Sequence, residues 1–343
     1  MSANKQPYVL VTGATGFIGA HVVDLLLERG CKVRGAARNM QKARQMQDAR
    51  PKYADQLDFV QVADFTGSSS SFADAVKGGI DGIVHLASPL SFKPRDNEKD
   101  VVLPAIQGVK SVLHAAAGEP SVKRIVITSS FAAVIDIDRK ESTRFTYTGK
   151  DWNPQSYEES IDPKTSPVLA YRGSKKFAEL EAWNFVNTQK PHFDIVTLCP
   201  PMVFGPMRHP VANLSELNET SDALWQVASG QGIPEGITFC IDVRDLALAH
   251  VEALLRPECR NKRYTIAAPE RYTYTMAADI IAEEFDWGKE RVVKYGKPQE
   301  FDETCNLDGE EAARDLGIKS YRTFRTSVVD FVKQAVEMEE RGI

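Results

Sequence analysis

Short apolar runs alternate with longer amphipathic stretches along the first two thirds of the chain. The run ending at Thr12 is followed by Ile18, Val22, Leu25 and Leu26 at helical spacing, and Gly30 closes that segment as a natural helix stop. Further apolar runs end at Arg38 (KVRGAAR), Asp64 (DFVQVAD), Ser88 (GIVHLAS), Ser130 (RIVITSS) and Pro200 (FDIVTLCP). Between them, DVVLPAIQGVKSVLHAAAG and YRGSKKFAELEAWNFVNTQ carry helical periodicity. Continuous apolar strands separated by helices predict an α/β chain with a doubly wound parallel sheet covered on both faces. After Pro200 the pattern loosens into a loop and one helix. It tightens again as strand, turn and helix over FCIDVRDLALAHVEALLRP, and becomes mixed from Tyr264. The predicted division is a cofactor-binding domain over residues 1–200, joined by about 236–266, with a smaller substrate lobe from 201–235 and 267–343.

Composition narrows the classes. With 43% apolar and 26% charged residues the chain reads as a soluble globular protein, and its 343 residues suffice for two lobes. A net charge of −5 argues against a nucleic-acid binder. No apolar run approaches the roughly 20 residues of a membrane span. The start MSANKQPYVLV enters a strand directly rather than a signal peptide. The five cysteines lie far apart without a CxxC pair, which predicts reduced thiols and a cytoplasmic setting. A monomer or homodimer is expected.

The first strand-to-helix junction, TGATGFIG, holds Gly13, Gly16 and Gly19 at three-residue spacing. Gly13 suits a tight turn, Gly16 lets backbone approach a pyrophosphate, and Gly19 lets the helix pack close to the sheet. The free N–H groups of the helix start then face the phosphates. The setting makes this a Rossmann-type dinucleotide site. At the end of the second strand, an acidic residue would hold the ribose 2′-hydroxyl of NAD. Here Arg38 stands at that place with Lys42 four residues on, and two cations without a carboxylate favour the 2′-phosphate of NADPH. The alternative for Arg38 is a solvated surface charge. Asp64 and Phe65 are candidates for the adenine, with a helix N-cap as the alternative for Asp64.

Tyr171 and Lys175 in YRGSK share one helix face a turn apart. A lysine there, aided by the positive nicotinamide of an oxidised cofactor, is expected to lower the phenol pKa from about 10, making Tyr171 a general acid in reduction. Ser130 ends the preceding strand, where open parallel sheets bind ligands, and its hydroxyl suits a substrate oxygen. The six histidines form no metal motif, so no metal is expected. His85 reads as a packed residue inside or beside the cofactor, and Asp242 and Asp245 as loop or capping groups. Leu90, Phe92, Phe131, Val168, Met202 and Trp225 lie near the motif ends and are candidates for the substrate pocket.

In their order, TGATGFIG, HLAS, ITSS, YRGSK and IDVRDLALAH make the chain resemble the extended short-chain dehydrogenase/reductases, over nearly its whole length. HLASPLSF, SFAAVID, DWNP, AYRGSKKFAELEAW and PPMVFGP resemble, within them, the fungal NADPH-dependent methylglyoxal/isovaleraldehyde reductase subgroup. The resemblance implies reduction of an aldehyde or ketone to the alcohol, with Ser130, Tyr171 and Lys175 as the catalytic triad. It also implies that Gly13, Ala14, Thr15, Gly16, Phe17, Ile18, Gly19, Arg38, Lys42, Asp64, Phe65, Ala87, Tyr171, Lys175, Pro200, Pro201, Met202, Val203 and Ser221 line the NADPH site. Many family members carry an asparagine in the helix after the fourth strand as part of a proton relay. DVVLPAIQGVKSVLHAA has none, so a relay here would need water or another group. Two rivals remain: an epimerase or dehydratase on the same fold, which generally keeps NAD tightly bound and which Arg38 disfavours, and a cofactor-sensing protein without turnover, whose kind usually loses the tyrosine or lysine.

Overall fold

A computed structural model describes residues 6–66, 70–88, 94–139 and 144–343. Strands are numbered along the chain: β1 (Tyr8–Thr12), β2 (Lys32–Ala37), β3 (Leu57–Gln61), β4 (Gly82–His85), β5 (Arg124–Thr128), β6 (Phe145–Tyr147), β7 (Asp194–Cys199), β8 (Met202–Phe204), β9 (Cys240–Asp242), β10 (Lys262–Thr265) and β11 (Cys305–Leu307). Seven of them form one sheet in the order β10-β7-β5-β4-β1-β2-β3, with every neighbouring pair parallel. The order reverses beside β1. That reversal leaves a crevice at the strand ends, and the glycine turn opens into it.

Strand pleating explains why both faces are apolar. Leu10, Ile83, Ile125 and Ile195 point to one face, where Val112, Leu113, Ala182 and Phe185 from helices Leu103–Ala117 and Pro167–Gln189 cover them. Val9, Val11, Val33 and Val84 point to the other, against Val22, Val23 and Leu26 of helix Phe17–Glu28 and Val251 of helix Val243–Leu255. A five-residue π turn, Glu98–Val102, leads into helix Leu103–Ala117. Pro104, which has no N–H to donate, stands in the first turn after it.

A second core joins Phe204, Leu224, Trp225, Tyr272, Tyr274, Phe324 and Phe331, and is built from helices Glu219–Ala228, Tyr274–Glu284 and Phe324–Glu340. Segments beyond residue 267 also pack against the first part of the chain. Helix Glu310–Leu316 returns to the main sheet, where Ala312 and Leu316 pack with Leu246 and Tyr264. Asp315 there takes Lys262 at 2.5 Å and the Tyr264 hydroxyl at 3.0 Å. Two small parallel pairs also link distant segments, β6 with β11 and β8 with β9. No described helix is long and apolar enough to cross a membrane.

Candidate active site

The three glycines each answer to a different constraint. Gly13 has φ +68°, a left-handed turn, and a Cβ there would stand 3.0 Å from the Ala87 nitrogen. Gly19 is tighter still: a Cβ would meet the Gly13 carbonyl oxygen at 2.1 Å. At Gly16 the nearest atom to a Cβ is that same oxygen at 3.2 Å, and no other lies within 4 Å. Gly16 begins helix Phe17–Glu28 with no side-chain cap and no acidic residue in the first turn. The helix start therefore offers uncapped N–H groups to an anion, beside open space a side chain would fill. These features fit a dinucleotide pyrophosphate. Ala14 and Phe17 are buried, Thr15 and Ile18 half-buried, and the Phe17 ring packs edge-on to His209. Phe17 thus faces the core with its ring and can meet a cofactor only through its backbone.

Beyond β2 the two candidate cations differ. Arg38 is exposed, and no ion pair or hydrogen bond involves its guanidinium among the described residues. Lys42 is already engaged: Glu216, from the loop before helix Glu219–Ala228, takes its ammonium at 2.8 Å. Asn39 caps the helix that carries Lys42, accepting the Gln41 and Lys42 N–H groups at 2.8 and 3.2 Å. Asp64 accepts the Thr66 N–H and hydroxyl, both at 2.7 Å, in a local turn. The next helix starts only at Ser70, so Asp64 is not its N-cap. Phe65 packs on Phe72 with ring centres 5.5 Å apart.

At the end of β5, Ser129 and Ser130 point apart. Ser130 caps a 3₁₀ turn, its Oγ accepting the Ala132 N–H at 3.1 Å, and is hydrogen-bonded to the Tyr171 phenol. Tyr171 and Lys175 sit on helix Pro167–Gln189, started by the Ser166 cap and Pro167. The Lys175 ammonium lies 5.5 Å from the Tyr171 ring centre and donates to Ser88 Oγ at 2.8 Å. Burial pulls the Lys175 pKa down to about 8, with the Glu219 carboxylate acting against it. Burial also pushes Tyr171 up, the Ser130 hydrogen bond opposes this, and Glu219 adds to it. The expected depression of the phenol is therefore absent in the protein alone; Tyr171 begins as a neutral phenol that holds its proton. His85 is buried, bonded to Thr12 Oγ1 at 2.9 Å, and brought down to about 4 by burial and the Lys175 charge, so it stays neutral.

A buried ion pair lies beneath these groups. Glu179, one turn beyond Lys175, is buried and accepts Ser129 Oγ at 2.6 Å and Arg263 Nε at 2.8 Å. Arg263 stacks on Trp152 and also holds the Gly149 carbonyl at 3.1 Å. One buried ion pair thus ties the Tyr171 helix to the serine-bearing strand end and to the Gly149–Trp152 segment. On the same floor, Pro200 accepts the Phe131 N–H at 2.8 Å, Met202 N–H reaches Phe239 at 3.3 Å, and Val203 accepts the Thr220 hydroxyl at 2.6 Å. Pro201 lies between them. Ser221 is buried one residue further on.

The pocket candidates fare differently. Leu90 and Phe92 lie outside the described residues. Phe131 is 1% exposed and enclosed by Tyr147 and Phe239, so it backs the wall rather than lining it. Trp225 belongs to the second core, under the Arg291 guanidinium. Val168 is 50% exposed on the first turn of its helix, and Met202 is half-buried. A cavity of about 690 Å³ opens beyond Phe131, with Ile135, Tyr147, Arg172 and Phe239 in its walls. Asp242 caps helix Val243–Leu255 and pairs with Arg244, and Asp245 pairs with Arg322: both are structural. Ser88, Glu179, Glu219 and Arg172 escaped the sequence reading. Glu179 alone carried a signal there, as a carboxylate eight residues after Tyr171 on the same helix face.

A glycine cradle at the reversal of a parallel sheet, with a serine, a tyrosine and a lysine converging beside it, defines a doubly wound enzyme of the nucleotide-cofactor class. The chain matches the NAD dependent epimerase/dehydratase family over residues 9–267 and belongs to it, within the extended short-chain dehydrogenase/reductases. It is 40% identical over 292 residues to the oxidoreductase C513.07 of Schizosaccharomyces pombe, covering 81% of this chain and 85% of that one. It is 34% identical to the NADPH-dependent methylglyoxal reductase GRE2 of Saccharomyces cerevisiae, covering 97% and 99%. The crystal structure of yeast methylglyoxal/isovaleraldehyde reductase Gre2 complexed with NADPH superposes with a TM-score of 0.86 at 33% identity, over 97% of this chain and 99% of that one.

Proposed function

We propose that this protein is an NADPH-dependent carbonyl reductase that converts an aldehyde or ketone to the alcohol, with Tyr171 as the proton donor. The observation that carries the reading is the convergence of Ser130, Tyr171 and Lys175 beside the glycine turn, with Arg38 uncommitted at the end of β2. The GRE2 relatives, named as NADPH-dependent reductases, support the cofactor and the direction. NADPH, when bound, supplies the hydride.

The protein's own groups do the rest. Tyr171 keeps its proton at neutral pH because burial disfavours the phenolate, and it gives that proton to the carbonyl oxygen as negative charge develops there. Ser130 Oγ accepts a backbone N–H and shares a hydrogen bond with the Tyr171 phenol; with substrate bound, its hydroxyl turns from the phenol to the same carbonyl oxygen. Lys175 spends one N–H on Ser88 and has two more for cofactor ribose hydroxyls. Its charge also stabilises the phenolate left behind. Arg38 meets the 2′-phosphate.

The test is NADPH consumption over a panel of aldehydes and ketones, in the wild type and in Tyr171→Phe. Turnover should fall by about a hundredfold or more, the scale of general-acid effects, with NADPH affinity unchanged. Retention of over a tenth of kcat with chemistry rate-limiting would remove Tyr171 from the role. An epimerase or dehydratase would instead return the hydride and show no net consumption.

A further inference from the structure

We propose that the cavity beyond Phe131 is a subsite for a carboxylate carried by the carbonyl substrate, with Arg172 as the cation that meets it. This rests on the reductase reading above and narrows its substrate class. The cavity, about 690 Å³, is of the size that holds small-molecule ligands. It adjoins the reacting centre: its wall residues Tyr147 and Phe239 enclose Phe131, the residue after Ser130.

Arg172 follows Tyr171 directly and lines this cavity. Its backbone is held, since its carbonyl accepts Asn153 Nδ2 at 3.3 Å. Its guanidinium makes no hydrogen bond or ion pair among the described residues, yet the side chain is only half exposed to water. Burial pulls its pKa down, and the Asp138 charge opposes that from beyond hydrogen-bond range. A cation kept half-dry with no bonded counter-ion is costly unless a ligand completes it. Across the same cavity Arg271 lies between Phe239 and Phe301 and donates to Thr238 Oγ1 and the Asp302 carbonyl; its buried Nη1 makes no hydrogen bond among the described residues and has the exposed Glu303 carboxylate 3.7 Å away. Two guanidinium groups with unmet donors on one cavity favour an anion, and a planar carboxylate fits their fork.

Carboxylates also line the space, and most are engaged. Asp136 accepts the Asp138 N–H at 3.1 Å, Glu300 pairs with Lys297 at 3.2 Å, and Asp302 takes the Thr304 N–H at 2.9 Å. Glu235, exposed and without a bond of its own among the described residues, and Asp138 are rivals for Arg172.

The experiment compares levulinate and longer keto carboxylates with their methyl esters, as kcat/KM at fixed NADPH and ionic strength. The wild type should prefer at least one acid over its ester. Arg172→Gln should cut kcat/KM for that acid about ten- to a hundredfold, the scale of a charge-assisted hydrogen bond, and change the ester far less. Gln keeps a polar side chain at this position and no hydrogen bond among the described residues is lost, so the variant should fold, and an unchanged thermal melt checks it. Arg172→Glu should turn the preference toward amino ketones. Glu235→Gln should strengthen the acid preference by removing a rival. An equal loss for acid and ester in Arg172→Gln, or a wild type that reduces the esters without favouring any acid, would overturn the subsite while leaving the reductase reading intact. Failure of the wild type to reduce any acid, any ester or any aldehyde or ketone of the wider panel would overturn that reading and the subsite with it.

Discussion

Gly19→Ala is the sharpest test of the cofactor cradle, because the structure sets its size. The added methyl would stand 2.1 Å from the Gly13 oxygen, 2.8 Å from the Gly13 carbon and 3.0 Å from the Ala14 Cα. All three are backbone atoms, so no side chain can swing away, and the helix or the glycine turn must move. Overpacking of this kind costs about 1–3 kcal/mol, and a backbone clash belongs at the upper end. Replacing a helical glycine by alanine returns about 1 kcal/mol of helix propensity. The net expectation is a loss of about 2 kcal/mol. At about 2–4 °C per kcal/mol for chains of 150–250 residues, somewhat less for a longer one, Tm should fall by several degrees. Gly16→Ala is the matched control. Its methyl meets only one oxygen at 3.2 Å and otherwise enters the open cradle. It should weaken NADPH binding, with a Tm loss without cofactor of under about 1 kcal/mol equivalent. Thermal melts with and without NADPH read both effects. Equal Tm losses in the two variants, or an unchanged Tm in Gly19→Ala, would refute the reasoning.

Two further outcomes follow from the charges around the cradle. Arg38→Asp should lower kcat/KM with NADPH by about ten- to a hundredfold while sparing or raising NADH. Lys42→Ala should do much less, because Glu216 already holds that ammonium; an equal drop with both cofactors in Arg38→Asp would mean general damage. Lys175 also makes a pH prediction. Its folded pKa of about 8 lies below the unfolded value of about 10.4, so between those limits the unfolded chain binds a proton the folded one lacks. Stability from this group therefore rises with pH across that window. Urea melts of cofactor-free wild type and Lys175→Met should show the wild type gaining on the variant from about pH 8 to 10; a constant difference would place Lys175 in a wetter site.

What could be read in advance follows from range along the chain. The glycine turn, the Tyr171–Lys175 face and the alternation of strands are local patterns, and local geometry enforces them. Lys42 looked free because its partner, Glu216, is 174 residues away. Phe131 and Trp225 looked like pocket walls because apolar residues near a motif read alike whether they face a cavity or a core. The raised Tyr171 pKa depends on burial, a property of the assembled site. Glu179 and Arg263 are 84 residues apart, and their pairing exists only once β10 sits beside β7. The return of helix Glu310–Leu316 to the main sheet was hidden too, since an amphipathic helix does not announce which core it will cover.

The placement of β10 has a consequence for how the chain is made. β7 has β5 on one side and β10 on the other, and about 60 residues separate the end of β7 from the start of β10. At synthesis rates of about 5–20 residues per second, a nascent chain carries β7 as a bare apolar edge for several seconds. Unpaired edges of this kind template pairing between copies, so the interval before Lys262–Thr265 emerges is when this protein most needs a chaperone. A chain cut short before Tyr264 would keep that edge permanently, and would aggregate even with its glycine cradle and its tyrosine complete.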